Sequence, residues 1–411
     1  MKKQWVFSVG LIGVYGLAVF ARVPQLFFHP RLWAEEATVY LERGLTLLPL
    51  TALWLPDSGY INLLANAVGI LAARMPLEYA PIVPLAVSFL IMLLPVVLVL
   101  TAENIWQQSV WAQAGAVAVI LLAVPNQEVW LNSITSQFYL SLATGIILAL
   151  PIARSDRMRR LHRAVIILAG VGGAASVLLA PLFCFRAWKD RSRERVVQAA
   201  ILSSAVVVQL LIAAHYGLGN HVIKFVPGVW WLVFIVKSVL MPFLGGDAVQ
   251  NLVPFIWQGF IDFNRATLFL IGVSLAAMIG GIVLWLSKIS EVRWLAAAAL
   301  TLIFFSLILS LDAPAKLVSY LAGNRYFFAP NALLGLALAA WVFHPGAGKR
   351  WIRAAGAVIL IWLALVGARE YVDVDALFFE GPSWRAEIRT WQADPAHMIH
   401  VWPRPWTWEV P

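Results

Sequence analysis

Two adjacent glutamates, Glu35 and Glu36, stand in the stretch RLWAEEATVYLERG, Arg31 to Gly44. A carboxylate at such a place can take a proton from a bound hydroxyl. Asp57 and Tyr60 follow in PDSGYINLL. Asn126, Gln127, Glu128 and Gln137 come later in VPNQEVWLNSITSQFYL, and Asn324, Arg325 and Tyr326 in SYLAGNRYFFAPN. Arg325, with Lys224 and Lys237 as further cations, could hold a phosphate through charge-assisted hydrogen bonds. A proton acceptor, polar side chains and an anion clamp together suit a transfer reaction with an anionic leaving group.

These residues are polar islands in an apolar chain. Of 411 residues, 61% are hydrophobic and 12% charged, and the mean hydropathy is +0.81. That composition excludes an ordinary soluble domain. Apolar runs recur, many near the roughly 20 residues that a bilayer-spanning helix requires. No tandem repeat, low-complexity tract or polar linker separates them. The expected fold is an all-α polytopic membrane protein. A net charge of +9 would suggest nucleic acid in a soluble protein; here it reads as cytoplasmic loop charge, so no nucleic-acid partner is expected.

The N-terminal MKKQWVFSVGLIGVYGLAVFARV could be a signal peptide cleaved after Val19-Phe20-Ala21, but the many spans that follow favour an uncleaved anchor. Two basic clusters, ARSDRMRRLHR and FRAWKDRSRER, belong on the cytoplasmic side. The segment between them is too short for two full crossings, so either it is a short helical hairpin turning at its Gly/Ala/Ser centre, the favoured reading, or one cluster breaks the rule. Irregular backbone at that depth implies a hydrated cleft. Full spans are expected near 5–21, 80–100, 111–125, 137–153, 196–214, 266–286, 294–311, 326–343 and 353–368. With the hairpin this makes about eleven crossings, N-terminus inside and C-terminus outside. Lys224 to Gly246 is left as an interfacial or re-entrant helix outside. Residues 1–368 thus form a transmembrane domain with a first outside loop at 22–79, and 369–411 form an outside tail. Cys184, the single cysteine, cannot make an intramolecular disulfide.

Glu35 and Glu36 fall in the first outside loop, on a short helix at the membrane surface. At 100° per residue, Trp33, Ala37, Tyr40, Leu41 and Gly44 share one face, with Glu36 at its edge and Glu35 pointing away. Glu36 is the expected inward acid. The plainer alternative pairs Glu35 with Arg31 and leaves Glu36 solvated.

The acidic pair in the first outside loop, the Gly-Tyr before a helix, the short hairpin between basic loops and the late Gly-Asn-Arg-Tyr resemble the GT-C glycosyltransferase superfamily. The resemblance runs over most of the chain in architecture. It implies a cytoplasmic-membrane enzyme that moves a sugar from a polyprenyl-phosphate donor to an envelope glycolipid, glycan or protein at the outer membrane face. It also implies that Glu36 or Glu35 is the base on the acceptor. The pair here differs from the commoner versions that contain aspartate, and no large soluble C-terminal domain follows.

Under that resemblance the catalytic candidates are Glu36 and Glu35. The substrate-binding candidates are Arg325, Asn324, Tyr326, Asp57, Tyr60, Gln137 and Lys224. Arg325 fits an interfacial arginine among belt aromatics as well. Asp57 or Ser58 also suits a helix N-cap. His215 and His221 lack a metal-ligand spacing with an acidic partner, so no obligatory protein-held metal or other cofactor is expected, while a divalent ion bridging carboxylate and donor phosphate stays open. The tail tryptophans Trp384, Trp391, Trp402, Trp406 and Trp408 fit an interfacial belt or, alternatively, a cap folded over the cleft. The other function classes are a transporter or flippase for an amphiphilic lipid-linked substrate and a noncatalytic partner in envelope assembly; no inverted repeat speaks for transport.

Overall fold

An apolar solvent leaves backbone N–H and C=O groups no partner except each other, so a chain of this composition must fold largely as helices. The computed structural model describes residues 2–101, 105–217, 226–262, 265–309, 314–319, 322–374 and 380–411. It is mostly helical, with six helices long and apolar enough to cross a membrane: Trp5–Arg22, Leu77–Thr101, Arg193–Tyr216, Ser290–Leu309, Arg325–Phe343 and Arg350–Val372. Their outer faces expose large apolar side chains such as Leu17, Leu90, Leu211 and Leu365, an arrangement that lipid tolerates and water does not.

At the centre lies Ser136–Ala149, with all 14 residues buried. At 1.5 Å per residue it is only about 21 Å long, short of a roughly 30 Å hydrocarbon layer. It packs against Ile82–Thr101, Asp156–Val171, Ser290–Leu309 and Arg325–Phe343. Asp156–Val171 and Ala180–Asp190 reverse around 172–179, at the Gly/Ala/Ser centre where the sequence calls for a turn. Arg163 pairs with Glu194, and Gly170 lies against Ala205, so Asp156–Val171 runs alongside Arg193–Tyr216 in the same sense. Ala180–Asp190 returns through Arg191, in the left-handed region at φ 47°, and packs antiparallel on that same long helix.

The segment 227–244, expected as an interfacial or re-entrant helix, packs largely inside protein: Leu232, Val233, Ile235, Val236 and Leu240 are buried with Val249, Ile256 and Phe327. Its middle, Ile235–Leu240, is π-helical, and the ammonium of Lys237 donates to Ser319 O and Asn324 Oδ1. In addition, three of the tail tryptophans, Trp384, Trp402 and Trp408, are buried in protein and do not form a lipid-facing belt.

The tail forms one helix, Trp384–Ala393, and a two-stranded antiparallel pairing of Ile399–His400 with Thr407–Trp408. It shares a core with the first loop: Leu32, Ala37, Leu41, Ala72 and Ala80 meet Trp384, Ile388, Ile399, Val401 and Trp408. Each fully buried large apolar side chain contributes roughly 1.5–3 kcal/mol, so this seam holds the loop in place. The backbone continues it: Ala34 N–H donates to Trp402 O at 2.5 Å, and Trp402 N–H to Leu32 O at 3.3 Å. From the other side, Leu63–Ala72 approaches the loop through two glycines. A Cβ at Gly69 would stand 2.2 Å from Tyr40 O, and one at Gly44 would stand 2.7 Å from Gly69 O, so only glycine permits this crossing.

Candidate functional site

The first loop enters through Ala34, at φ 34°, and continues as a π-helix over Glu36–Leu41 before Glu42–Thr46 resumes an α-helix. The wider π turn advances each side chain by less than the 100° of an α-helix, and the left-handed residue rotates the entry. The expected phase is therefore overturned for Glu35, which enters a cavity, and not for Glu36. Glu36 faces inward but into protein: its Oε2 accepts from Trp33 N–H at 2.8 Å, and its Oε1 accepts from Ser133 N–H at 2.6 Å and Ser133 Oγ at 2.7 Å. Burial, the larger effect, pushes its pKa up to about 7, although all three hydrogen bonds favour the carboxylate. Glu36 ties the loop to the 126–135 segment.

Glu35, expected to point away, lines a cavity of about 360 Å³. Its carboxylate makes no hydrogen bond or ion pair among the described residues. Arg31, its proposed i,i+4 partner, turns to the tail instead, donating to Glu380 O and standing over the Trp402 ring at 5.3 Å.

The same cavity collects residues from five distant parts of the chain. Asp57, Ser58 and Tyr60 line one wall. Ser58 at φ 50° and Gly59 at φ 83° form a primed β-turn, closed by reciprocal backbone bonds between Asp57 and Tyr60. Neither Asp57 nor Ser58 caps the following helix; Asn62 does, accepting from Ala65 N–H. Asp57 is paired with Arg43 at 3.3 Å. Gln137 donates to Tyr60 Oη at 3.2 Å, and burial pushes the Tyr60 phenol up to about 12, so it stays a protonated donor. The helix reversal contributes Ala174, Ala175 and Leu178. Gly173, at φ 147°, makes this approach feasible, because a Cβ there would lie 2.3 Å from Gln137 Oε1.

Arg325 and Tyr326 complete the polar side. The guanidinium is partly exposed, 5.2 Å from the Tyr326 ring, and lies 3.8 Å from Glu128, whose Oε2 also accepts Arg325 N–H at 3.0 Å. Asn324 does not reach the cavity; it is buried and receives the Lys237 ammonium. Lys237 is likewise absent from the lining, and Lys224 lies outside the described residues. Asn126 accepts from Arg22 at 3.0 Å, a packing role. Among the described residues, none of the tail lines the cavity; its Trp402 meets the lining residue Trp33 edge to face at 4.3 Å.

Phe138, Leu302, Phe305, Leu309, Ala329 and Pro330 make the remaining wall apolar. Sequence reasoning missed the contribution of Ser290–Leu309, because its inward residues are ordinary helix side chains. It also missed Ser133 and Arg43, which matter only through their partners Glu36 and Asp57. The cavity thus offers the Glu35 carboxylate, uncommitted among the described residues, one partly exposed guanidinium, the three phenols of Tyr40, Tyr60 and Tyr326 and an amide on one side, with hydrocarbon on the other. That suits an amphiphilic anion and a hydroxyl that must lose a proton. In comparisons with known proteins, no family model, no curated protein and no solved structure matches this chain.

Proposed function

We propose that the chain is a GT-C-like glycosyltransferase of the cytoplasmic membrane that moves a sugar from a polyprenyl-phosphate donor to an envelope glycolipid, glycan or protein. The supporting observation is that Glu35, without a hydrogen bond or ion pair among the described residues, and Arg325 line one cavity that is half polar and half apolar. Glu35 is the base. As the acceptor oxygen bonds to the anomeric carbon, its proton passes to the Glu35 carboxylate. The bond from that carbon to the phosphate oxygen breaks, and the electron pair leaves with the phosphate, whose charge Arg325 offsets. Tyr60, Gln137 and Tyr326 orient sugar hydroxyls, and the apolar wall receives the first part of the prenyl chain. Glu36 positions the loop and does not touch substrate.

The membrane topology that accompanies this reading has about eleven crossings, with the cavity opening to the outer face. Cysteines introduced at Ser155 and Ser192, in a chain lacking Cys184, should be shielded from an impermeant thiol reagent in intact cells, and one at Ser383 should label. Labelling at Ser192 without Ser155 removes the hairpin topology.

Mass spectrometry of lipids that copurify with the chain tests the donor class. A bound polyprenyl-phosphate sugar, depleted in Arg325→Ala, is the expected result. A preparation that binds no such lipid and transfers no sugar from it would overturn the reading.

A further inference from the structure

A second cluster of reactive side chains lies in the tail. Glu387 sits in the first turn of Trp384–Ala393, His397 in the turn that follows, and His400 in the strand Ile399–His400. Glu387 Oε2 is 3.0 Å from His397 Nε2 and 2.9 Å from His400 Nδ1, and it also accepts His400 N–H at 2.8 Å. All three ligand atoms lie within 4.8 Å of one another.

We infer that Glu387, His397 and His400 form a zinc site that braces the tail. Two imidazoles and a carboxylate are borderline ligands that suit Zn²⁺, and three protein ligands leave a fourth position for water. At metal–ligand distances of about 2.0–2.1 Å, tetrahedral donors stand roughly 3.4 Å apart. The two nitrogen–oxygen separations are already close to that value, and the side chains of His397 and His400 are 24% and 49% exposed, free to swing by the small remainder. The metal would join the helix to the strand across the turn that separates them. That strand leads directly to Trp402, which bonds the backbone on either side of Trp33, so zinc would stiffen the support behind the acidic loop. The site does not depend on the transferase reading.

The test uses the full chain in detergent, without a histidine tag, stripped by chelator and re-equilibrated with ZnCl₂. Expected are one zinc per chain and a higher melting temperature with zinc than without. His397→Ala and His400→Ala should each weaken zinc binding more than the roughly 10–100-fold that loss of an outer-shell partner costs, and should abolish the melting shift. Independently of any variant, zinc should slow modification of His397 and His400 by diethyl pyrocarbonate, read peptide by peptide. Absence of stoichiometric zinc, undiminished binding by the His397→Ala/His400→Ala chain, or unchanged modification of both histidines would overturn the proposal.

Discussion

Two cavities in this molecule differ in what lines them. The larger, about 550 Å³, lies among Val110–Leu122, Arg325–Phe343 and Arg350–Val372. Gly115, Leu122, Phe343 and Leu363 are typical of its wall, and its lining includes no ionisable side chain. The smaller, about 360 Å³, contains Glu35, Asp57 and Arg325. Size therefore gives no guide to chemistry here. An apolar hollow between helices can accept a hydrocarbon chain, but only the smaller one has groups that can exchange a proton or offset charge. The same helix, Arg325–Phe343, lines both, with Arg325 at its first turn and Asn331 and Gly335 farther along.

The sharpest way to break this contrast is to remove the uncommitted acid. Glu35→Gln keeps the shape and should lower sugar transfer by about 10²–10⁴-fold, the usual worth of a general base, while donor binding persists. Activity within a few-fold of the parent would leave the smaller cavity without its base. Next in size, Arg325→Ala should weaken donor binding by roughly 1.5–3 kcal/mol, measured with a fluorescent polyprenyl phosphate, if a charge-assisted contact is lost.

Glu36→Gln should act on stability. Its amide cannot accept from all three donors, and a buried group left unsatisfied costs about 1–3 kcal/mol. Glu36 also gives stability a pH dependence. Because the folded pKa of Glu36 is raised from 4.5 to about 7, the folded chain keeps a proton that the unfolded chain has lost between those values. Its contribution is most favourable below about pH 4.5 and declines as pH rises towards about 7. The stability difference between parent and Glu36→Gln, followed by thermal unfolding from pH 4.5 to 8, should therefore change through this window. A flat difference would mean that the buried carboxyl does not titrate there. The smallest effect belongs to the apolar cavity: Ala118→Leu should leave transfer within about twofold, since nothing reactive lines that space, and a large loss would give the cavity a direct role.

Much of the architecture was legible because the apolar runs are long and helices are what lipid permits: each of the nine expected stretches overlaps a helix, six of them helices long and apolar enough to cross a membrane, and the Gly/Ala/Ser centre of the 164–185 segment is where the chain reverses. The polar residues that gather at the cavity were legible as types, since Asp57, Tyr60, Gln137, Arg325 and Tyr326 stand out against such a background. Orientation was not. A single α-helical period assigned Glu36 to the cavity, whereas the positive φ of Ala34 and the π turn after it deliver Glu35. Asn324, adjacent to Arg325, is taken by Lys237, a partner 87 residues away that no local pattern points to. The Glu387, His397 and His400 cluster was equally hidden, because its ligands meet only after a turn folds the strand back on the helix.

The glycine contact behind the acidic loop makes that loop a lever with its fulcrum outside the cavity. Gly69 supports the backbone at Tyr40 with no room for one extra carbon, so a methyl group there acts as a wedge on the π turn that aims Glu35. A change on Leu63–Ala72 can thus redirect the acid without altering any residue that lines the cavity.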